Sequence, residues 1–355
     1  MIYKNALING QNVDIEVSGG KILYIGKTDK DGFDLGNRKV FAGLTDIHSH
    51  GCMGYDTMDG NHLEEMSEFM AANGVTSWLP TTMTMDMNTI KSVVNGEILN
   101  ARGAEVLGFH LEGPYISAKH KGAQNEKYII PPDLDEFEKL DNIKMVTVAP
   151  ETENAFNFIE KCKAVISIGH TDCDYDCAKK AIKLGASCLT HTFNAMPPIH
   201  HRNPGPIGAA FDENIYVQVI CDGIHINQCV IRLLYKLFGA ERMILISDSM
   251  RATGLSDGEY EFGGQNISVK NSVARTRSGA IAGSTSTLLN CVKKAIEFGI
   301  PENEAFRMAS QTPCELLGIK KGKIEAGYDA DFVVLDNNYN IVHTVIGGKV
   351  YEKKM

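Results

Sequence analysis

The residues of this chain that could do chemistry are histidines and carboxylates placed directly after short apolar runs. In "GLTDIHSHG" (43–51), His48 and His50 stand one residue apart where such a run ends. Alternate residues of a β-strand point to the same face, so both imidazoles would project in the same direction. Later runs are followed at the same place by Glu112, His170, His191, His225 and Asp248. This pattern predicts that the side chains converge.

Convergence of so many ionisable groups predicts a metal site. One strand-end histidine is ordinarily a hydrogen-bonded structural residue, but burying several such groups together is costly unless a cation compensates. Histidine and carboxylate ligands without a thiolate suit zinc or another transition metal, and three protein ligands leave a coordination position open. Such a metal activates water and polarises a carbonyl group, which suits hydrolysis of an amide or ester. Asp248, alone after the last run, is the candidate proton acceptor, although an aspartate there can also be a helix N-cap.

The elements that would position these residues are eight β-like runs that alternate with amphipathic, helix-like segments. The runs cover residues 43–48, 75–81, 105–111, 144–149, 164–169, 186–190, 215–220 and 242–247. Eight such units in 355 residues predict an α/β protein with a (β/α)8 TIM-type barrel, whose strand ends build the active site. The alternative, a doubly wound open sheet, would usually carry a glycine-rich phosphate loop after its first strand, and none is present.

The two ends of the chain have a different pattern. Residues 1–42 and 320–355 consist of short β-like runs separated by Asn-Gly and Gly-Gly pairs, which are typical of hairpin turns. We therefore expect both termini to form one small β-sandwich domain, with residues 43–319 forming the barrel domain. The remaining histidines lie off the strand-end pattern, and most of them are expected at the surface or in packing: His62, His110, His120, His200, His201 and His343. His110, two residues before Glu112, is a candidate to support it.

Composition excludes several classes of function. The formal net charge is −9 and no Lys/Arg-rich block occurs, which argues against nucleic-acid binding. The sequence contains no run of eighteen consecutive apolar residues, so it does not predict a membrane-spanning helix. Nine cysteines scattered along the chain fit a reducing compartment better than a disulfide framework. We therefore expect a cytoplasmic protein without nucleic-acid or membrane partners.

Several motifs in order resemble those of the N-acetylglucosamine-6-phosphate deacetylase family of the amidohydrolase superfamily. They are "GLTDIHSHG", "HLEGPYISAKHKGAQ", "SIGHTD", "THTFNAMPPIHHRNPG", "CDGIH", "LISDSM", "IAGSTSTLL" and "KGKIEAGYDADFVVLD". The resemblance covers nearly the whole chain. It implies a homodimer that uses one or two divalent transition-metal ions per subunit, zinc or iron. The implied reaction converts N-acetyl-D-glucosamine 6-phosphate to D-glucosamine 6-phosphate and acetate.

The resemblance also implies roles for individual residues. Glu112, His170 and His191 match the metal ligands of the family, and Asp248 matches its general base and acid. The residues implied to bind the phosphorylated sugar are Ala123, Gln124, Asn194, Ala195, Arg202 and His225. Arg202 would bind the phosphate, because a guanidinium offers planar, permanently charged donors. The resemblance implies that it reaches in from the neighbouring subunit.

Two positions vary within the family. Some members lack the His-x-His pair and use one metal ion; this chain has it, so we expect His48 and His50 to bind a second ion with Glu112 bridging. Gln124 stands where some members have a histidine that polarises the substrate, and an amide can donate a hydrogen bond there but cannot carry a proton.

Three alternatives remain open at this stage. Dihydroorotase-like or isoaspartyl-peptidase-like amidohydrolases typically bridge two metals with a carboxylated lysine, where this chain offers Glu112. A deacetylase for N-acetylgalactosamine 6-phosphate shares nearly the same site residues, and turnover of both epimers separates the two. A non-catalytic scaffold has no reason to keep Glu112, His170, His191 and Asp248 together, and a metal analysis tests it.

Overall fold

The computed structural model describes residues 1–96 and 102–352, and its strands and helices follow in chain order. The strands are β1 (Ile2–Ile8), β2 (Gln11–Ser18), β3 (Lys21–Gly26), β4 (Phe33–Asp34), β5 (Lys39–Ala42), β6 (Leu44–Ser49), β7 (Gly51–Cys52), β8 (Tyr55–Asp56), β9 (Val75–Pro80), β10 (Glu105–Val106), β11 (Phe109–Glu112), β12 (Ile143–Val148), β13 (Val165–Ile168), β14 (Ala186–Leu189), β15 (Tyr216–Ile220), β16 (Met243–Ile246), β17 (Gly258–Phe262), β18 (Gln265–Lys270), β19 (Val273–Thr276), β20 (Phe332–Leu335), β21 (Ile341–Ile346) and β22 (Lys349–Val350). The helices are α1 (Leu63–Ala72), α2 (Met87–Val94), α3 (Leu134–Phe137), α4 (Ala155–Lys161), α5 (Tyr175–Lys183), α6 (Gly205–Asp212), α7 (Gln228–Arg242), α8 (Leu288–Glu297), α9 (Glu302–Met308) and α10 (Gln311–Leu316).

Parallel strands carry the central core, and each of the eight predicted runs falls on one or more of them. One sheet has the order β10-β9-β6 and the other the order β11-β12-β13-β14-β15-β16. Parallel bridges join the two sheets at both edges: Thr81 pairs with His110, and Ser49 pairs with Ser249. The carboxyl ends of all these strands therefore lie on the same side of the curled sheet, which is the side that carries the predicted site residues.

The parallel strands are apolar because helices cover them. Every residue of β6, β9 and β16 is buried. Helix α1 packs on β9, α5 and α6 pack on β14, and α7 packs on β15 and β16. Trp78 of β9 is fully buried and donates a hydrogen bond from Nε1 to Ser67 Oγ of α1 at 3.1 Å. Among the described residues, no helix has the length and the apolar composition that crossing a lipid bilayer requires.

Both ends of the chain contribute strands to one eight-stranded sheet. Its order is β22-β21-β20-β5-β1-β2-β3, with β4 paired to β1, and the C-terminal β20 joins the N-terminal β5 in antiparallel register. The β1–β2 connection is Asn9-Gly10, with φ of 49° and 78°, and the β21–β22 connection is Gly347-Gly348, with φ of 55° and 75°. Positive φ at both positions is what tight hairpin turns require. Residues 353–355 of the predicted terminal domain lie outside the described part of the chain.

A further antiparallel sheet, β17-β18-β19, was not predicted. Strands β17, β18 and β19 form an antiparallel meander, which lies between β16 and α8 in the chain. The apolar face of this meander packs on the carboxyl ends of the parallel strands. Phe262 and Ile267 of this sheet share an apolar cluster with Met83 and Ala123, which follow β9 and β11. Because it lies at the strand ends, the meander supplies part of the wall of the site.

Candidate metal centre

The predicted metal ligands lie together at the carboxyl ends of the parallel strands, all of them buried. His48 is the last residue but one of β6, Glu112 ends β11, and His170, His191 and Asp248 each follow their strand by two residues. The last three adopt left-handed backbone conformations, with φ of 46°, 26° and 48°. Such conformations are unfavourable for non-glycine residues and occur most often at functional sites.

Backbone hydrogen bonds hold these strained residues in place. Asp248 donates its N–H to the carbonyl of His48 at 2.9 Å and accepts the N–H of Ser284 at 2.7 Å. The carbonyl of His170 accepts the N–H of Ser117 at 2.8 Å. The strain is therefore offset by contacts between neighbouring strand ends, and the side chains are fixed in direction.

Glu112 is the centre of the first group of candidate ligands. Its Oε1 lies 3.3 Å from His170 Nε2 and 3.1 Å from His191 Nε2. The two imidazole nitrogens are themselves 3.0 Å apart. Three potential ligand atoms therefore surround one point.

The same glutamate belongs to the second group, formed with His48 and His50. Glu112 Oε1 lies 3.3 Å from His48 Nε2, and Glu112 Oε2 lies 3.2 Å from His50 Nε2. The Nε2 atoms of the two histidines are 3.3 Å apart. One carboxylate thus stands between two pairs of imidazoles, as a ligand that bridges two ions would.

These distances fit a divalent metal. Ligand atoms about 2.0–2.1 Å from a tetrahedral zinc ion lie about 3.3 Å from one another, close to the separations within both groups. Glu112 Oε1 is buried and accepts no hydrogen bond of acceptable geometry from residues 1–96 and 102–352, although imidazole nitrogens lie near it on several sides. A cation at the shared point would satisfy this oxygen and the facing nitrogen lone pairs together. The donor set, imidazole and carboxylate, suits zinc or another transition metal.

Three of the imidazoles are oriented by contacts of their other ring nitrogen. His50 Nδ1 lies 3.2 Å from the carbonyl of Thr81, and His170 Nδ1 lies 2.8 Å from the carbonyl of His120. His48 Nδ1 lies 3.0 Å from Gln218 Oε1. Each contact places the proton on Nδ1 and leaves Nε2 free to bind a metal, which is the usual arrangement around histidine ligands.

The electrostatic environment keeps the carboxylates of the site ionised. Burial alone would raise the pKa of Glu112, but His48 and His170 outweigh it and hold that pKa well below its usual range. Burial likewise opposes ionisation of Asp248, and the neighbouring His48 and His50 lower its pKa. Burial would lower the pKa of His50, but in the absence of a cation the two carboxylates outweigh it and raise that pKa to about 10; a metal ion would take the place of the proton on Nε2. Ionised Glu112 is the form that a metal ion needs, and ionised Asp248 can accept a proton.

Asp248 lies beside the second group and faces the cavity. Its Oδ1 is 3.3 Å from His50 Nε2 and 3.5 Å from His48 Nε2. Only 6% of the residue is exposed, and it lines the cavity. An ionised carboxylate at this place can take a proton from water or from a substrate held next to the metal ligands.

Gln124 contacts Glu112 directly. Its Nε2 donates to Glu112 Oε2 at 2.8 Å, and its Oε1 accepts the N–H of Thr84 at 2.7 Å. The amide therefore orients the shared carboxylate in addition to facing the cavity. The contact between Gln124 and Glu112 was not expected from the sequence.

A cavity of about 420 Å³ opens above these groups. Ten of the predicted site residues line it: His50, Glu112, Ala123, Gln124, His170, His191, Asn194, Ala195, His225 and Asp248. His48 is completely buried beside His50 and does not line the cavity. Arg202 lies on the exposed surface, where Nη1 is 2.7 Å from His201 Nε2, and it does not line the cavity either.

The cavity wall includes residues that sequence reasoning did not assign. His120, expected at the surface or in packing, lines the cavity beside Lys119, and Asp172 binds both side chains at 3.0 and 2.7 Å. Phe262 and Ile281 come from the region of the unpredicted meander. The basic residues of "SAKHKGAQ" could have indicated Lys119 and His120 as residues of the site. Nothing in the sequence placed the meander there.

Three of the residues expected to hold the sugar phosphate, Asn194, Ala195 and His225, lie in the cavity wall. Asn194 and Ala195 follow β14, and the carbonyl of Ala195, where φ is 50°, accepts the N–H of Thr171 at 3.1 Å. His225 Nδ1 lies 2.7 Å from Asp222 Oδ2. Burial would lower the pKa of His225, but Asp222 outweighs it and raises that pKa, which favours a cationic imidazole. A cation here suits an anionic ligand.

Comparison with known proteins agrees with this site. The profile of the Amidohydrolase family matches residues 40–351. The N-acetylglucosamine-6-phosphate deacetylase of Bacillus subtilis (strain 168) is 39% identical over 332 residues, which cover 88% of this chain and 84% of the relative. The crystal structure of the deacetylase of the same name from Thermotoga maritima has a TM-score of 0.92 and 34% identity, covering 100% of both chains. A mutant of the Mycobacterium smegmatis deacetylase in complex with N-acetyl-D-glucosamine-6-phosphate has a TM-score of 0.93 and 30% identity, covering 99% of both chains. Because the family profile matches residues 40–351 and these relatives are matched over most of their length, the chain belongs to the amidohydrolase family.

Proposed function

We propose that this protein hydrolyses the acetamide of N-acetyl-D-glucosamine 6-phosphate, releasing acetate and D-glucosamine 6-phosphate. The observation that carries this proposal is the convergence of Glu112, His170, His191 and Asp248 under a single cavity. Relatives of this name match the chain over most of its length, and one of them binds this substrate in a solved structure.

The metal would be held by the two groups that share Glu112. His170 and His191 would complete one site, and His48 and His50 would complete a second, with zinc or iron as the ion. A bound divalent metal supplies acidity to a coordinated water and polarises the acetamide carbonyl. Two sites with a bridging carboxylate accommodate one or two ions per subunit.

Asp248 would move the proton that hydrolysis requires. The reaction forms a C–O bond between water and the acetyl carbon and breaks the C–N bond of the amide. The carboxylate of Asp248, ionised and buried at the cavity wall, takes a proton from the attacking water and delivers it to the departing nitrogen. The amine leaves neutral, and the aspartate returns to its ionised form.

The other lining residues would position the sugar phosphate. His225, with its proton stabilised by Asp222, and the polar groups near Asn194 and Ala195 would bind the phosphate end. Gln124 would orient Glu112 and face the acetamide. Arg202 is exposed in this protomer, so it would act on the cavity of a partner subunit in a homodimer. Local cations are needed because the overall charge of −9 repels an anionic substrate.

We also infer the domain architecture of the protein and its cellular compartment. The bridges at both edges of the parallel sheets support closure into a (β/α)8 barrel over residues 43–319. The shared terminal sheet, with its own apolar cluster around Tyr3, Ile15 and Phe332, supports a separate β-sandwich domain from residues 1–42 and 320–355. All nine cysteines are free, which fits a cytoplasmic enzyme.

The test is acetate release from N-acetyl-D-glucosamine 6-phosphate by the metal-loaded protein. N-acetyl-D-galactosamine 6-phosphate serves as the epimeric substrate, and unphosphorylated N-acetyl-D-glucosamine serves as the control for phosphate recognition. We expect the gluco epimer to have the highest kcat/KM. Preference for the galacto epimer would transfer the proposal to that substrate, and the absence of both acetate release and bound metal would support a scaffold.

A further inference from the structure

One buried amide below the cavity contacts both groups of candidate metal ligands. Gln218 lies in the middle of β15, in the apolar run "YVQVI", and its side chain has no exposed surface. Its Oε1 is 3.0 Å from His48 Nδ1 and 3.4 Å from the backbone nitrogen of His191. A buried amide is retained only where its hydrogen bonds are made, so these contacts explain a glutamine at this place.

The neighbours of the amide determine which of its ends faces the histidines. The backbone N–H of His191 is a donor and therefore requires the amide oxygen on its side. The amide nitrogen then faces Met145 Sδ at 3.5 Å, a weak acceptor that a carbonyl oxygen could not use. The orientation with Oε1 toward His48 is thus the one that satisfies both ends of the side chain.

This orientation selects one tautomer of His48. An amide oxygen can only accept a hydrogen bond, so the proton of the neutral imidazole must be on Nδ1. Nε2 then carries a lone pair and points at Glu112 Oε1, 3.3 Å away. Without the acceptor, the proton can also occupy Nε2, and in that form the ring cannot bind a metal.

His48 differs in this respect from His50 and His170. Their Nδ1 atoms face the backbone carbonyls of Thr81 and His120, which no side-chain substitution removes. The partner of His48 is a side chain and can therefore be altered. The affinity of the His48–His50–Glu112 group for a metal is the property that this side chain controls.

We propose that Gln218 is a positioning residue that holds His48 in the tautomer able to bind a metal, and so sets the affinity of the His48–His50–Glu112 group for a second ion. The inference deepens the proposed function, on which it rests for the presence of a resident metal. It adds a residue that touches neither substrate nor metal.

The first test is titration of the chelator-treated full-length protein with Zn²⁺ against a chromophoric chelator. Gln218→Met keeps the length of the side chain and replaces the amide oxygen with a thioether, which accepts hydrogen bonds only weakly. We expect the second Zn²⁺ equivalent to bind about 10- to 100-fold more weakly, with the first changed by less than about threefold. Gln218→Glu restores an acceptor for Nδ1–H and should bring the second affinity back to the wild-type value or above it. Met145→Leu, which alters the other end of the amide contact, is the matched control and should leave both affinities unchanged.

The second test observes the tautomer directly, in chelator-treated protein at a pH high enough for the His48 ring to be neutral. In ¹⁵N spectra of histidine-labelled protein, the ring assigned to His48 should show protonated Nδ1 in the wild type and a mixture of tautomers in Gln218→Met. Gln218→Leu, whose side chain has no acceptor atom, takes the place of Gln218→Met if that variant does not fold. Thermal melting checks the folding of each variant.

Three results would overturn the inference. The first is binding of a single Zn²⁺ equivalent by the wild type. The second is an unchanged second affinity together with an unchanged His48 tautomer in the variant that lacks an oxygen acceptor. The third is an equal loss of affinity for the second Zn²⁺ equivalent in Gln218→Glu and Gln218→Met. Failure of the proposed function has a different signature, because two Gln218-dependent zinc sites without acetate release would contradict deacetylation and leave this inference standing.

Discussion

Replacement of Asp248 by asparagine isolates the proton-transfer role of this residue from its structural one. The backbone of Asp248 has a φ of 48°, a conformation that asparagine tolerates as well as aspartate does. Its backbone bonds to His48 and Ser284 do not depend on the side chain. The asparagine side chain has the same shape but no basic oxygen, so Asp248→Asn should fold normally and keep its metal.

The expected loss of rate follows from the two proton transfers assigned to this carboxylate. General acid–base catalysis contributes about 10²- to 10⁴-fold to a rate, equivalent to about 3–5 kcal/mol of barrier at 1.36 kcal/mol per factor of ten. Because the side chain is almost completely buried, bulk water has poor access to replace it. We therefore expect kcat to fall by at least about 10²-fold, with a much smaller change in KM.

The assay is steady-state acetate release, combined with elemental analysis of the same preparation and thermal melting. Asp56→Asn is the matched control: Asp56 is also a buried aspartate, whose pKa burial raises to about 6, and it does not line the cavity. This control should retain turnover. A kcat within tenfold of the wild type in Asp248→Asn, with normal metal content, would refute the assignment of Asp248 as the proton carrier.

Three further outcomes are expected. Glu112→Gln removes the carboxylate shared by both ligand groups, so elemental analysis should find both metal equivalents depleted; retention of two equivalents would contradict the bridging role. Arg202→Ala should raise KM for the phosphorylated substrate by about tenfold or more and leave the unphosphorylated sugar unaffected, because hydrogen bonds to charged groups contribute about 1.5–3 kcal/mol; an unchanged KM would exclude a phosphate contact. Although burial opposes ionisation of Asp14, bonds from the N–H groups of Asn5 and Thr28 and from Lys4 lower its pKa to about 2. A lowered pKa stabilises the fold above the unfolded value of 3.8 and loses that effect as the pH falls toward 2. Wild type and Asp14→Asn should therefore differ in unfolding free energy by about 1–2 kcal/mol at pH 7 and converge only as the pH falls to about 2; a difference independent of pH would count against this account.

The strands and most of the site residues could be predicted from local patterns. Each of the eight apolar runs coincides with parallel strands, because strands that are buried on both faces are rich in apolar residues. The Asn9-Gly10 and Gly347-Gly348 turns were predictable because tight hairpins need positive φ. His170, His191 and Asp248 were recognisable because polar residues directly after such runs end up at one edge of the sheet.

Other features depended on contacts between segments far apart in the chain. The meander β17–β19 alternates polar and apolar residues, but only its packing on Met83 and Ala123 brings Phe262 to the cavity. Gln218 has no signal beyond being a polar residue in an apolar run, and its role follows from its distance to His48. Arg202 was expected at the site, yet it lies outside the cavity of its own subunit.

The sequence by itself determined which chemical groups are present and at which strand ends they stand, because side-chain direction along a strand and the position where a strand stops are local properties. Only the tertiary structure decided that Glu112 lies between two pairs of imidazoles and that Gln218 orients one of them. Those relations depend on the precise placement of strands that are distant in the chain, and the pairing and packing of the curled parallel sheets fix that placement.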